Sequence, residues 1–254
     1  MVADPGARLD DVARVRAAFD RSGVPWLPAF DELALEAPAF VEAVLDLARS
    51  SAARSALAPK DRQLIQVALA VSSTHLDRDG AAFHIREAVR LGATREELVH
   101  VCQFSTLLGI HTMPIALSVL VEEAERAGLE LDSGAGDRGA RARERFVADR
   151  GVLPDDLEPL VRLDPDFLDA YRTLSRTVVG AGVLEPKLVE LILVALDVSM
   201  THLFGPGARL HVRAALAAGA TVDEVLEVCE LTSGLGISGT ALGVQLVTAA
   251  FRDG

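Results

Sequence analysis

The sequence predicts an all-α protein made by tandem duplication of one helical unit, and three observations predict it. Ala, Leu, Val, Arg and Glu dominate the 254 residues, half of which are hydrophobic, while only 4% are aromatic. Such a composition favours helices. Apolar residues recur at three- and four-residue spacings, with no run of alternating β-branched residues to mark a strand. Moving the chain along itself so that Pro59 meets Pro186 brings its halves into register without a gap, and 26 of the 52 positions from Pro59 to Ile110 are then identical.

The register begins upstream, where Phe19, Pro38, Phe40, Ala43 and Leu47 match Phe146, Pro165, Phe167, Ala170 and Leu174. The first repeat is assigned to residues 1–131, with helices predicted at Lys60–Thr74, Ala81–Leu91 and Arg95–Leu107. A small, polar segment, DSGAGDRGA, marks a linker at 132–140. The second repeat, 141–254, carries helices predicted at Leu188–Thr201, Ala208–Ala218 and Val222–Thr232. Asp164-Pro165 reads as an N-cap followed by proline in the first turn. Thr94 with Glu97, and Thr221 with Glu224, read as capping boxes, and Gly92 and Gly219 suit left-handed helix stops just before them. The last element, Leu231–Phe251, is uncharged and long enough to span a bilayer. Its many Gly, Ser and Thr residues and a glycine pair point instead to a loop and a buried helix, so no membrane is expected as a partner.

Charge excludes one class of partner. Lys and Arg total 25 against 37 Asp and Glu, a formal charge of −12, and no basic cluster offers itself to phosphates, so no nucleic acid is expected. The N-terminal MVADPGARLDDVARV lacks the order of a signal peptide, and two cysteines cannot staple a chain of this length. A cytoplasmic protein is expected.

Four of the six histidines stand at equivalent places, His75 and His84 in the first repeat and His202 and His211 in the second, although the loops between them differ. A structural histidine near a helix end is the plain reading of any one of them; retention of both through divergence points to a site. His100 and His111 face Glu227 and Ser238, and are read as a surface residue and a weaker site candidate. Glu190 interrupts an apolar helix, where a carboxylate needs a partner, a task or a wet face, and its counterpart is Gln63. Arg86 and Arg213 are equivalent and suit either a substrate carboxylate or a helix surface. Cys102 and Cys229 read as core residues, and neither has a CxxC partner.

The segments PKLVELILVALDVSMTHL and ARLHVRAALAAGATVDEVLEV resemble the carboxymuconolactone decarboxylases and the related alkylhydroperoxidase D-like proteins. The resemblance covers about residues 60–120 and 187–247 and implies an alkylhydroperoxidase D-like helical unit that assembles into trimers or hexamers. The peroxidase branch has a glutamate, a CxxC twelve residues on, and a later histidine. Glu190 falls on the glutamate, His202 on the first cysteine, Gly205 on the second, and His211 and His84 resemble the later histidine. The dithiol is therefore missing, so a thiol peroxidase is not expected. The decarboxylase branch, whose LHVRAAL segment matches better, acts without a cofactor on a lactone bearing a carboxylate.

The expected function is a cofactor-independent lyase or isomerase acting on a small cyclic or lactone-bearing acid. His211 and His202 are the acid/base candidates, with Glu190 orienting one of them and His84 and His75 as first-repeat counterparts; Arg213, Arg86 and His111 are candidates for substrate binding. Two alternatives stand beside it: a metal-dependent enzyme using Glu190, His202 and His211, and a binding protein that kept the fold and lost the reaction. Two fused units per chain imply a homotrimer, with a dimer as next choice.

Overall fold

A computed structural model describes residues 5–20, 26, 29–131 and 135–252, and every regular element among them is a helix. The first repeat forms α1 (Pro5–Asp20), α2 (Ala29–Glu36), α3 (Pro38–Arg54), α4 (Pro59–Ala70), α5 (Arg78–Arg90), α6 (Arg95–Leu107), a 3-10 turn at Leu108–His111, and α7 (Thr112–Arg126). The second forms α8 (Gly136–Arg150), α9 (Pro159–Leu163), α10 (Pro165–Val179), α11 (Pro186–Val198), α12 (Gly205–Ala217), α13 (Val222–Ser233) and α14 (Gly236–Arg252). The helices α4, α5 and α6 begin at residues equivalent to the starts of α11, α12 and α13.

Local chemistry explains these boundaries. The carboxylate of Asp164 accepts from the N–H of Phe167 at the start of α10, and Thr94/Glu97 and Thr221/Glu224 form reciprocal capping boxes. Gly92 and Gly219 adopt φ of 89° and 92° at the stops of α5 and α12. Expected helices at Lys60–Thr74 and Leu188–Thr201 end sooner, at Ala70 and Val198. The N–H groups of His75 and His202 close a tight turn on the carbonyls of Ser72 and Ser199, and Leu76 and Leu203 then turn left-handed at φ of 52° and 49°. Both histidines thus stand just outside a helix.

The helices gather into two compact units that cut across the repeats. The larger comprises the chain up to Cys102 and from Glu185 onward; the smaller is Gln103–Leu184. In the larger unit, Val15, Phe19, Phe30, Val41 and Leu45 of α1–α3 pack with Ala241 of α14, while α11 buries Leu188 through Asp197 apart from Glu190. In the smaller unit, Leu117 of α7 packs with Phe146, Leu160 and Leu168 of α8–α10. The last helix of each repeat therefore packs on the first three helices of the other.

Two expectations are corrected. Of the supposed linker, residues 132–134 lie outside the described residues, but Gly136–Ala140 already form the first turns of α8. A side chain at Gly139 would come within 2.2 Å of the Val161 carbonyl oxygen, so glycine there serves close helix packing rather than flexibility. The segment Leu231–Phe251 does break at Gly234 and Leu235, yet α14 buries only Ala241 and leaves Leu242, Leu246, Val247 and Phe251 exposed within the chain. Arg95–Arg126 and Val222–Arg252 are long and apolar enough to cross a membrane by length and composition alone. Each is interrupted, the first by the 3-10 turn at Leu108–His111 and the second at Gly234 and Leu235.

Candidate active site

In the first repeat, α4 packs on α5 and brings Gln63 to His84, whose Nδ1 lies 2.8 Å from the Gln63 amide oxygen. An amide oxygen only accepts, so Nδ1 carries the hydrogen and Nε2 keeps its lone pair. Burial pushes the pKa of His84 down to about 4, against the upward pull of Asp77 and Glu87. The ring is neutral near pH 7. Asp77 caps α5: its Oδ1 accepts from the N–H of Gly80 at 3.0 Å, while its Oδ2 accepts from the Ser238 hydroxyl of α14 at 2.6 Å.

Gln63, His75, Asp77 and His84 line a cavity of about 310 Å³ inside the larger unit. Its other walls come from α3 and the α13–α14 junction, where Phe40, Val44, Leu231 and Leu235 stand beside Ser51, Glu230 and Ser233, so the second repeat completes the first repeat's site. Arg62 also lines it, with its guanidinium bonded to Glu227, a fully buried carboxylate that accepts from the N–H groups of Ala56 and Leu57 as well.

In the second repeat, α11 brings Glu190 to His211, with 2.7 Å between Oε2 and Nδ1. At the other edge of the ring, Asp197 Oδ2 lies 3.9 Å from Nε2. Asp197 is almost fully buried, and that burial lifts its pKa to about 7; the His211 charge opposes the rise and Glu190 adds to it. His202 is half-buried, with its pKa lowered by burial, and one of its ring nitrogens lies within 4.8 Å of an Asp197 carboxylate oxygen. Glu190 therefore stands at the Nδ1 edge of His211 and Asp197 at its Nε2 edge, with His202 beside Asp197.

The repeats differ in an instructive way. Side chains at the equivalent glycines Gly80 and Gly207 would come within 2.3 Å of Asp77 Oδ2 and 2.5 Å of Asp197 Oδ2. Those two aspartates are not equivalent. Asp77 stands where the second repeat has Phe204, and Asp197 where the first has Ala70. Each imidazole thus has an amide or carboxylate at Nδ1 and one nearby aspartate, reached from a different point of the sequence.

The two arginines expected to bind substrate lie elsewhere. Arg86 and Arg213 are exposed, two positions beyond His84 and His211 and so about 200° round their helices. Neither lines the cavity, whose cation is Arg62. His111 is half-buried at the end of the 3-10 turn in the smaller unit. His100, expected on the surface, is 3% exposed because it shares the inward face of α6 with Val101 and Phe104. Cys102 and Cys229, expected in the core, are exposed and half-buried. Partial burial of each thiol raises its pKa, the reverse of what a peroxidatic thiol needs. Sequence reasoning missed Asp77, Asp197, Arg62 and Glu227. Asp197 had a visible signal: like Glu190, it is an acid inside the apolar run VELILVALDV.

The model of the carboxymuconolactone decarboxylase family matches residues 38–109 and 165–241, one segment in each repeat. A crystal structure from Burkholderia xenovorans LB400, provisionally named a gamma-carboxymuconolactone decarboxylase subunit, superposes with a TM-score of 0.86 at 38% identity, covering 96% of this chain and 98% of that one. No curated protein matches the sequence. The matched segments span more than half of the chain and hold both histidine pairs and their partners, so the chain belongs to the carboxymuconolactone decarboxylase family.

Proposed function

We propose that the protein is a cofactor-independent lyase or isomerase of the carboxymuconolactone decarboxylase type, moving protons on a small cyclic or lactone-bearing acid. The observation that carries this reading is His84, a neutral imidazole anchored through Nδ1 at the wall of a ligand-sized cavity. Loss of CO2 from such an acid leaves an electron pair that moves into a conjugated carbonyl, and the resulting enolate must be protonated at carbon. Isomerisation needs the same transfer after removal of a proton. An imidazole with its Nε2 lone pair free of the anchoring bond takes the proton, and a pKa of about 4 makes it quick to give the proton back.

The second repeat suits the complementary task. Glu190 orients His211 through Nδ1, while Asp197, with a pKa of about 7, holds a proton that a carboxylate of ordinary pKa would have lost. The test is to offer purified protein a panel of small cyclic acids and read CO2 release and product mass. Turnover that falls about 10²–10⁴-fold in His84→Asn or His211→Asn is the expected result. A folded protein with no turnover on any member of the panel, or turnover indifferent to both substitutions, would sink the proposal.

A further inference from the structure

In each repeat an aspartate stands over a glycine one turn ahead of the site histidine. Gly80 precedes His84 by four residues and Gly207 precedes His211 by four, so each glycine shares a helix face with its histidine. The room that a side chain would fill is taken by a carboxylate oxygen, Asp77 Oδ2 in one repeat and Asp197 Oδ2 in the other. In the second repeat that oxygen is 3.9 Å from His211 Nε2. In the first, Asp77 lies seven residues before His84, on the same face of α5, and both line the cavity. Its charge is felt at the ring, where it favours the protonated form against the effect of burial. The two carboxylates are held differently. Asp197 belongs to α11, whereas Asp77 caps α5 and is fastened at both oxygens, Oδ1 by the N–H of Gly80 at 3.0 Å and Oδ2 by the hydroxyl of Ser238 at 2.6 Å. A serine within a helix often returns its hydroxyl to a carbonyl of its own helix; Ser238, in the first turn of α14, gives it to the other repeat.

We infer that Ser238 and Asp77 are positioning residues for His84: the last helix of the second repeat fixes the carboxylate that faces the first repeat's imidazole across the bare turn at Gly80. The purpose of the pair rests on the acid/base reading of His84. When Nε2 takes up a proton, the charged ring meets a carboxylate already in place, and none has to swing in from water. The other groups around the ring are neutral or committed. Gln63 of α4 is an amide, Arg62 of α4 is bonded to Glu227, Glu87 of α5 to Arg90, and Glu230 of α13 to Arg54, while His75 lines the same cavity. Asp77 is held by an uncharged N–H and an uncharged hydroxyl, neither of which cancels its charge.

NMR titration of the His84 ring tests this, because it reads the pair whether or not a substrate is turned over. Asp77→Asn keeps an accepting oxygen for the N–H of Gly80 and removes the charge, and should lower the pKa of His84 from about 4 by about half a pH unit or more. Ser238→Ala releases Oδ2 and should lower it in the same direction, while Ser238→Thr, which keeps the hydroxyl, should leave it as in the unmodified protein. If acid unfolds the chain first, the same differences are read in a Gln63→Glu background, where the titration lies nearer neutral pH. On a substrate that the protein converts, Ser238→Ala should cut kcat about 3- to 10-fold with KM nearly unchanged. A titration indifferent to both Asp77→Asn and Ser238→Ala, even with a lowered melting temperature, would make the pair a structural tie and overturn the inference, as would equal displacement by Ser238→Ala and Ser238→Thr. A titration that follows the expected pattern in a protein that converts no acid would instead sink the acid/base reading and leave the hold of Ser238 and Asp77 on His84 standing.

Discussion

His84 meets an amide where His211 meets a carboxylate, and this exchange of Gln63 for Glu190 decides what each ring can do. An anion beside an imidazole favours its protonated form; an amide orients the ring without doing so. Gln63→Glu should therefore raise the pKa of His84 from about 4 toward the ordinary range, read by NMR titration of the ring. Glu190→Gln should cut turnover by about 10²-fold or more if the second repeat dominates. Unchanged turnover would place the chemistry at His84 alone. Asp197 makes a separate prediction, about stability. Its pKa in the folded chain, about 7, lies above the ordinary 3.8, so folding favours its protonated form. That contribution is fully present below about pH 4 and is lost as pH rises toward 7. Asp197→Asn has no such loss. The variant should gain stability over the unmodified protein between about pH 4 and 7, reaching on the order of 4 kcal/mol at most. Urea denaturation at several pH values checks this, and a difference that does not change with pH would refute it. Glu190 was expected to orient one of the two histidines, but which one, and the partners of His84 and Asp197, were not legible in the spacing. Helical spacing relates residues on one helix, whereas Glu190 and His211 stand 21 positions apart on neighbouring helices.

At the scale of elements, caps and stops were legible because each is written in three or four adjacent residues, as in Thr221 to Glu224. The early ends of α4 and α11 were not, since Leu76 and Leu203 adopt a left-handed conformation that leucine rarely takes and that no local signal announces. The lysines Lys60 and Lys187 add an equivalent bond in each repeat, to the capping glutamates Glu97 and Glu224 at 2.8 and 2.7 Å, tying α4 to α6 and α11 to α13. The first turn of α12 offers a direct test of packing around the site. An added Cβ at Gly207 would lie 2.5 Å from Asp197 Oδ2 and 2.6 Å from the Phe204 ring, whereas one at Gly205 would meet nothing within 4 Å. Gly207→Ala should cost about 1–3 kcal/mol and disturb turnover, while Gly205→Ala should leave stability within about 1 kcal/mol. Thermal unfolding of the two variants compares them, and equal melting temperatures would mean that the carboxylate shifts without cost.

For the whole molecule, the duplication was legible because half of the aligned core is identical, but the exchange of last helices between repeats was not. The inner residues of α14, Ile237, Ala241 and Val244, meet the α1–α3 core, and α7 meets that of α8–α10. Two copies of one unit carry no local signal for which partner a helix chooses. The outer faces carry the remaining argument. Ile115, Val119 and Leu120 of α7 are exposed, and so are Leu242, Leu246 and Val247 of α14, their counterparts at equivalent positions. The same apolar stripe thus survives in both copies, though the chain buries neither, and contiguous exposed stripes of this kind mark association surfaces. We propose that a second copy of the chain covers them. With two units per chain, three chains supply six, enough to close a ring in which every stripe is met. Light scattering at micromolar concentration should give a trimer, with a dimer the next choice. Val119→Glu or Leu246→Glu, which place charge in the centre of one stripe, should drive the protein toward smaller species while far-ultraviolet circular dichroism stays helical. A monomer at these concentrations, or an assembly unmoved by both substitutions, would mean that the stripes face something other than another copy.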